Sequence, residues 1–219
     1  MSSFTVHSIP GSPFGRAVLA TLMEKSAAFR LVAVPPRAIK SEPHLSIHPF
    51  GRVPVLEHDG FRLYETQAIL RYLDRVLPAP TLTPADPKAA ARMDQVLAIA
   101  DWYLHQGVNS IIGFQRIVRP RILGLPGDEA AIAEAVPRAH VVFAELSRLL
   151  GGNDYFAGSQ LSLADIIVAS QMDFLAQTPE WAPLTAERGN LAPWLARVSA
   201  RKSFEATTWE RVAEMGKAA

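Results

Sequence analysis

The chain contains no cysteine in 219 residues. That excludes disulfides, thiolate metal sites and any cysteine nucleophile of the protein's own. Excess charge of one sign is missing too: 22 Lys and Arg against 21 Asp and Glu leave a net charge of +1. Neither nucleic acid nor an anionic membrane is therefore expected as a partner. No apolar run is long enough to span a bilayer. The opening "MSSFTVHSIPGSPFGR" has no charged start, apolar core and small-residue cleavage site, so the expected address is cytoplasmic. There is no P-loop, no dinucleotide fingerprint and no internal repeat. "HLSIH" (44–48) has two histidines at i and i+4, but no glutamate follows the first, so no metal is expected. "GSPFG" (11–15) imitates a nucleophile elbow with its serine off centre. Arg116, Arg119 and Arg121 read as a solvated loop cluster.

What is present is an ordinary globular composition, 49% hydrophobic and 20% charged. The first eighty residues mix strands and helices. "FTVHSI" (4–9) and "FRLVAV" (29–34) read as strands around a helix in "GRAVLATLMEK" (15–25), where Val18, Leu19, Leu22 and Met23 share a face. "VPVLEH" and "FRLY" flank Asp59-Gly60, a hairpin signal. "TQAILRYLDRVL" (66–77) then places Ala68, Ile69, Tyr72, Leu73 and Val76 at helical spacing. "LPAPTLTPADP" (77–87), with four prolines, reads as a linker. Beyond it the pattern is helical. Asp86-Pro87 opens one long helix reaching about Arg116, and a second covers about 129–150 with Pro137 inside. In "LSLADI" (161–166), Ser162 and Asp165 form a capping-box pattern with Leu161 and Ile166 as its staple, so Asp165 is expected to serve folding.

One local feature resists a purely structural reading. Proline cannot donate to a sheet ladder, yet Pro54 stands in the strand pattern "RVPVLEH". A cis proline at the strand start would turn the Val53 backbone outward, free to pair with a bound peptide as an added strand does. A few residues on, the helix opening near Thr66 presents unpaired N–H groups and a positive dipole end to a carboxylate. Thr66 adds a hydroxyl donor, and Glu65 could hold an ammonium group. The expected ligand is a short peptide with an α-amino-acid head group.

On "HPFGRVPVL", "YETQAILRYL", the proline-rich linker and "LSLADI", the chain resembles the cytosolic glutathione transferases over essentially its whole length. The resemblance implies an α+β thioredoxin-like domain (βαβ then ββα) over residues 1–79, a linker at 80–86 and an all-α helical bundle over 87–219. It implies a glutathione transferase: an enzyme with glutathione as co-substrate and no metal, stabilising the thiolate for attack on a hydrophobic electrophile. Val53, with the cis Pro54, would pair with the cysteinyl backbone, and Glu65 and Thr66 would hold the γ-glutamyl group. Lys40 and Arg52 match positions that reach the glycine carboxylate.

Family members activate the thiol with Tyr, Ser or Cys near the first strand. Cysteine is absent and the first tyrosine is Tyr64, which leaves serine. Ser12, four residues before Arg16, resembles the Ser-x-x-x-Arg spacing of theta-type enzymes, with Ser8 in reserve. Phi-type enzymes usually have Thr after the serine, whereas Pro13 stands here and removes a backbone N–H. Ser12 also suits a helix cap. For the second substrate, Phe14, Trp102, Gln106, Asn109 and Phe114 are the expected wall residues. A homodimer is expected, with Phe50 placed where some relatives plug an aromatic into the partner subunit. The same fold used as a non-catalytic glutathione or hydrophobic-ligand binder is the alternative.

Overall fold

The computed structural model describes residues 4–218. The chain divides into two compact units. One holds the chain up to Thr83 together with the segment from Ala200 onward, and the other is Pro84–Ser199.

The first unit is built on four strands, β1 (Phe4–Ser8), β2 (Phe29–Ala33), β3 (Val55–His58) and β4 (Phe61–Tyr64), in the order β2-β1-β3-β4. β1 and β2 are parallel, as their connection through helix α1 (Pro13–Glu24) requires, and the other pairs are antiparallel. The β3–β4 hairpin turns on Asp59 (φ 48°) and Gly60 (φ 83°), the two left-handed positions that Asp-Gly favours. β3 begins at Val55, so Pro54 lies just outside the ladder and removes no sheet hydrogen bond. α1 buries Ala17, Val18, Leu19, Ala20 and Leu22. Helix α2 (Thr66–Val76) buries Ile69, Leu70 and Leu73, whereas Ala68 and Val76, expected on that face, are exposed.

The buried Lys25–Asp74 pair ties the end of α1 to α2 and to the following turn. Lys25 Nζ donates to Asp74 Oδ1 at 2.9 Å and to the Pro80 carbonyl at 2.8 Å, while Asp74 also accepts the Leu82 N–H. The C-terminal segment, with helices α8 (Lys202–Glu205) and α9 (Trp209–Ala218), packs on this same unit. Arg201 forms a two-pronged bond to the Glu24 carboxylate, both contacts at 2.7 Å.

The second unit is helical, with α3 (Pro87–Ile99), α4 (Glu129–Leu150), α5 (Leu163–Leu175), α6 (Trp181–Thr185) and α7 (Leu191–Ser199). α3 passes directly into a π-helical segment, Ala100–Leu123, that ends on Gly124 (φ 66°). The helix therefore continues beyond Arg116, and the three arginines lie within it. Arg116 bonds Glu180 at 2.7 Å and Glu129 at 2.5 Å, and Arg119 donates to the Pro126 carbonyl. The expectation of a solvated loop is corrected: Arg116 and Arg119 hold the segment's end, while Arg121 is exposed on the helix. α5 is buried nearly all round, as a central helix must be. Its capping box is formed, and the fully buried Asp165 accepts Ser162 N–H (2.9 Å), Ser162 O–H (2.6 Å), Phe156 N–H (2.9 Å) and Trp194 Nε1–H (2.9 Å).

Candidate active site

The strand register brings three chain points to one end of the sheet. His7 in β1 pairs with Val55, the first residue of β3, and Val55 pairs with Tyr64, the last of β4. Adjacent strands lie about 4.8 Å apart, so these three points span roughly 10 Å. From that end the chain leads to Ser12 after β1, to Val53-Pro54 before β3, and to Glu65-Thr66 after β4. Two helix N-termini, those of α1 and α2, open there, and each carries about half a positive charge.

Ser12 is the N-cap of α1, and its Oγ accepts the Gly15 N–H at 3.1 Å. A serine hydroxyl has two acceptor lone pairs and one donor, so the cap leaves the O–H free to donate elsewhere. Capping and thiolate stabilisation are therefore compatible on one side chain. Ser8, the reserve choice, is only 1% exposed. Its Oγ lies so close to Gly15 that a Cβ there would collide with it, and the first turn of α1 seals it from a ligand. Arg16 donates through Nη2 to the Phe204 carbonyl at 3.1 Å.

The Val53-Pro54 peptide is cis. Among the described residues, neither the N–H nor the C=O of Val53 has a hydrogen-bond partner. Glu65 has φ 69° and ψ 111°, a region that non-glycine residues occupy at a cost of about 1–3 kcal/mol. Such an outlier persists only where its surroundings enforce it. Here it leaves the Glu65 carboxylate exposed and starts α2 at the buried Thr66, 7% exposed. The Thr66 hydroxyl has no partner among the described residues.

The β2–β3 connection flanks this turn. Lys40 and Arg52 are both exposed, with Lys40 Nζ donating to the Phe50 carbonyl at 2.8 Å. His44 Nε2 lies 2.8 Å from the Arg52 carbonyl, and because a carbonyl only accepts, Nε2 carries the proton. Sequence reasoning passed over His48. It is 2% exposed, its ring lies 4.8 Å from that of Tyr64, and its Nδ1 has no partner among the described residues. Burial pushes its pKa down, and His44 and Arg52 add to that against the opposing pull of Glu65, so the ring is neutral at pH 7. The i, i+4 histidine spacing was the available signal, weighed only for metal. Among the described residues no group of three or more His, Cys, Asp or Glu is arranged to hold a metal ion.

Residues 2–75 match the family model "Glutathione S-transferase, N-terminal domain", and residues 89–202 match its C-terminal counterpart. The chain belongs to the glutathione S-transferase family. A glutathione S-transferase of Hyoscyamus muticus is 30% identical over 91% of this chain and 94% of its own length. Glutathione S-transferase F10 of Arabidopsis thaliana is 28% identical over 87% and 89%. The crystal structure of glutathione transferase F7 from Populus trichocarpa superposes with a TM-score of 0.83 at 28% identity, covering 97% of this chain and 99% of that one. This transferase thus has the expected α+β domain followed by a helical domain, and glutathione is its co-substrate. No described helix is long and apolar enough to cross a membrane.

The wall residues expected for the second substrate are placed unevenly. In the first unit Phe14 is half-buried beside Ser12 in sequence. In the helical unit Trp102 (69% exposed), Gln106 and Phe114 face outward. Asn109 does not: it is 4% exposed, and its Nδ2 donates to Gln171 Oε1 at 3.2 Å inside the helical core. That position corrects the expectation of a wall residue.

Proposed function

We propose that this transferase is a serine-type, phi- or theta-like member in which Ser12 stabilises the glutathione thiolate for attack on an apolar electrophile. The reading is carried by the free Ser12 O–H at the positive end of α1, on the same sheet end as the unpaired Val53 backbone and the Glu65-Thr66 turn. Glutathione bears two carboxylates, one ammonium and one thiol. Val53 pairs with its cysteinyl backbone, Glu65 receives the ammonium, and Thr66 with the first N–H groups of α2 receives the γ-glutamyl carboxylate. Lys40 and Arg52 take the glycine carboxylate. Phe14 offers an apolar wall beside Ser12, and on the helical unit the exposed Gln106 and Phe114 are the candidates for contact with the second substrate. Phe50 (62% exposed) and a groove of about 540 Å³ lined by Trp102, Tyr103 and Val141 support a homodimer, which reassigns Trp102 from substrate wall to subunit contact. A cytoplasmic address fits the cysteine-free composition.

A free thiol titrates near 8.5, and lowering that by two units takes about 2.7 kcal/mol, within reach of a hydroxyl and a helix dipole together. Ser12→Ala is expected to raise the bound thiol's pKa by about two units and to slow conjugation at least tenfold near pH 7, with glutathione affinity little changed. Ultraviolet thiolate absorbance against pH reads this, and an unshifted titration removes Ser12 from the role. A bound thiol with an ordinary pKa in both proteins would favour the non-catalytic binder. Thr66→Ala is expected to weaken glutathione binding about tenfold, by loss of a hydrogen bond to a charged group. Calorimetry showing unchanged affinity would sink the γ-glutamyl assignment.

A further inference from the structure

We propose that Trp209, at the start of α9, is a positioning residue for the Ser12 hydroxyl, a role that rests on the assignment of Ser12 as the thiol activator. Gly11, the residue before Ser12, has φ 84°, and a Cβ added to it would collide with Cε3, Cζ3 and Cδ2 of the six-membered ring of Trp209. The Gly11 backbone thus lies directly against the indole. Only glycine combines that φ with so close an approach. On the other side of Ser12, Arg16 is held by the same C-terminal segment. Its Nη2 bonds the Phe204 carbonyl at 3.1 Å, and its guanidinium stands 4.9 Å over the Phe204 ring. Residues 204–209 therefore grip the Ser12 turn before and after the serine.

Ser12's own bonds cannot do this. Its N–H donates to the Ile9 carbonyl at 3.0 Å and its Oγ accepts from Gly15 at 3.1 Å. Both fix the serine within its turn, not the turn against the rest of the unit. A glycine at positive φ gains the most conformational freedom when released. Without the indole, the turn would shift, and a hydrogen bond weakens steeply once its angle departs from linear. Thiolate stabilisation would fall. The Glu65-Thr66 turn, on a different strand, would keep its hold on the γ-glutamyl group.

The test is the bound-thiol titration on wild type, S12A, W209A and W209F, with glutathione affinity measured by calorimetry on each. W209A is expected to raise the thiol pKa by about one unit and lower kcat about threefold near pH 7, with affinity within about twofold. W209F, which keeps a flat ring against Gly11, is expected to recover most of the shift. If S12A raises the pKa and W209A leaves it at the wild-type value, the positioning role is overturned while Ser12 stands. If S12A itself shifts nothing, the Ser12 assignment has failed instead. Gly11→Ala approaches the same contact from the other side and decides the matter should W209A not fold. Its added methyl strikes the ring, so the thiol pKa must rise, and an unaltered value overturns the proposal. In a G11A/W209A double variant the collision is gone, and the two shifts are expected to be less than additive.

Discussion

Asp165→Ala is expected to lower the stability of the helical unit by about 4 kcal/mol, well beyond the 0.5–3 kcal/mol of most substitutions. Four donors converge on that carboxylate in a fully buried position, and removing it strands them where water cannot reach. Each stranded donor costs about 1–3 kcal/mol, and the costs overlap because the four share one site. Burial pushes the carboxyl's pKa up, while the Ser162, Phe156 and Trp194 donors pull against it. Asp165→Asn keeps an oxygen for Phe156 and Trp194 but turns an N–H2 toward the Ser162 N–H. It should lose about half as much. Urea unfolding followed by tryptophan fluorescence measures both. A loss under 1 kcal/mol for the alanine variant would show the network to be dispensable, and reduced turnover per folded molecule would make Asp165 more than a folding residue.

Asp74→Ala is the second large effect, about 3–5 kcal/mol, because it leaves the Lys25 ammonium buried without its counter-charge. The Lys25 side chain is 1% exposed and that of Asp74 4%, so water cannot replace the partner. The double variant Lys25→Met/Asp74→Leu should regain much of the loss, since removing both charges also removes their desolvation cost. The pair has a pH signature. Burial pushes the Asp74 carboxyl up, but the Leu82 N–H, the Thr83 hydroxyl and Lys25 outweigh it and hold the pKa below the ordinary aspartate value. A depressed folded pKa means the unfolded chain takes the proton more readily. The contribution is therefore fully present above about pH 4 and disappears as pH falls through the folded value. Urea midpoints for wild type and Asp74→Ala should converge as pH falls through the folded value. A gap that persists undiminished there would rule out the ionised pair as its source.

These two residues also show what a sequence discloses and what it hides. Asp165 stands three positions after Ser162, a spacing that follows from helix geometry, so its capping role was readable. Its bonds to Phe156 and Trp194 depend on tertiary packing and were not. Lys25 and Asp74 lie 49 positions apart with no local pattern to join them. The succession of strands and helices in the first eighty residues, the hairpin at Asp59-Gly60 and the Val53-Pro54 step were legible because Gly, Pro and alternating apolar residues mark them locally. Asn109 was misplaced for a geometric reason. On α-helical spacing, Trp102, Gln106 and Asn109 would share a face, but the segment is π-helical, and its wider turns carry Asn109 inward. The strain at Glu65 has no sequence mark at all, since glutamate is not a residue that favours positive φ.

The return of residues 200 onward to the first unit has a consequence for biosynthesis. The sheet and α1 leave the ribosome ahead of the helical unit, yet the partners of Glu24, Arg16 and Gly11 come from the segment after it. All of Pro84–Ser199 is translated in between, which takes on the order of ten seconds at 5–20 residues per second. During that interval the nascent sheet and α1 exist without the segment that completes them. Chain termination before Trp209 would therefore damage the unit made first.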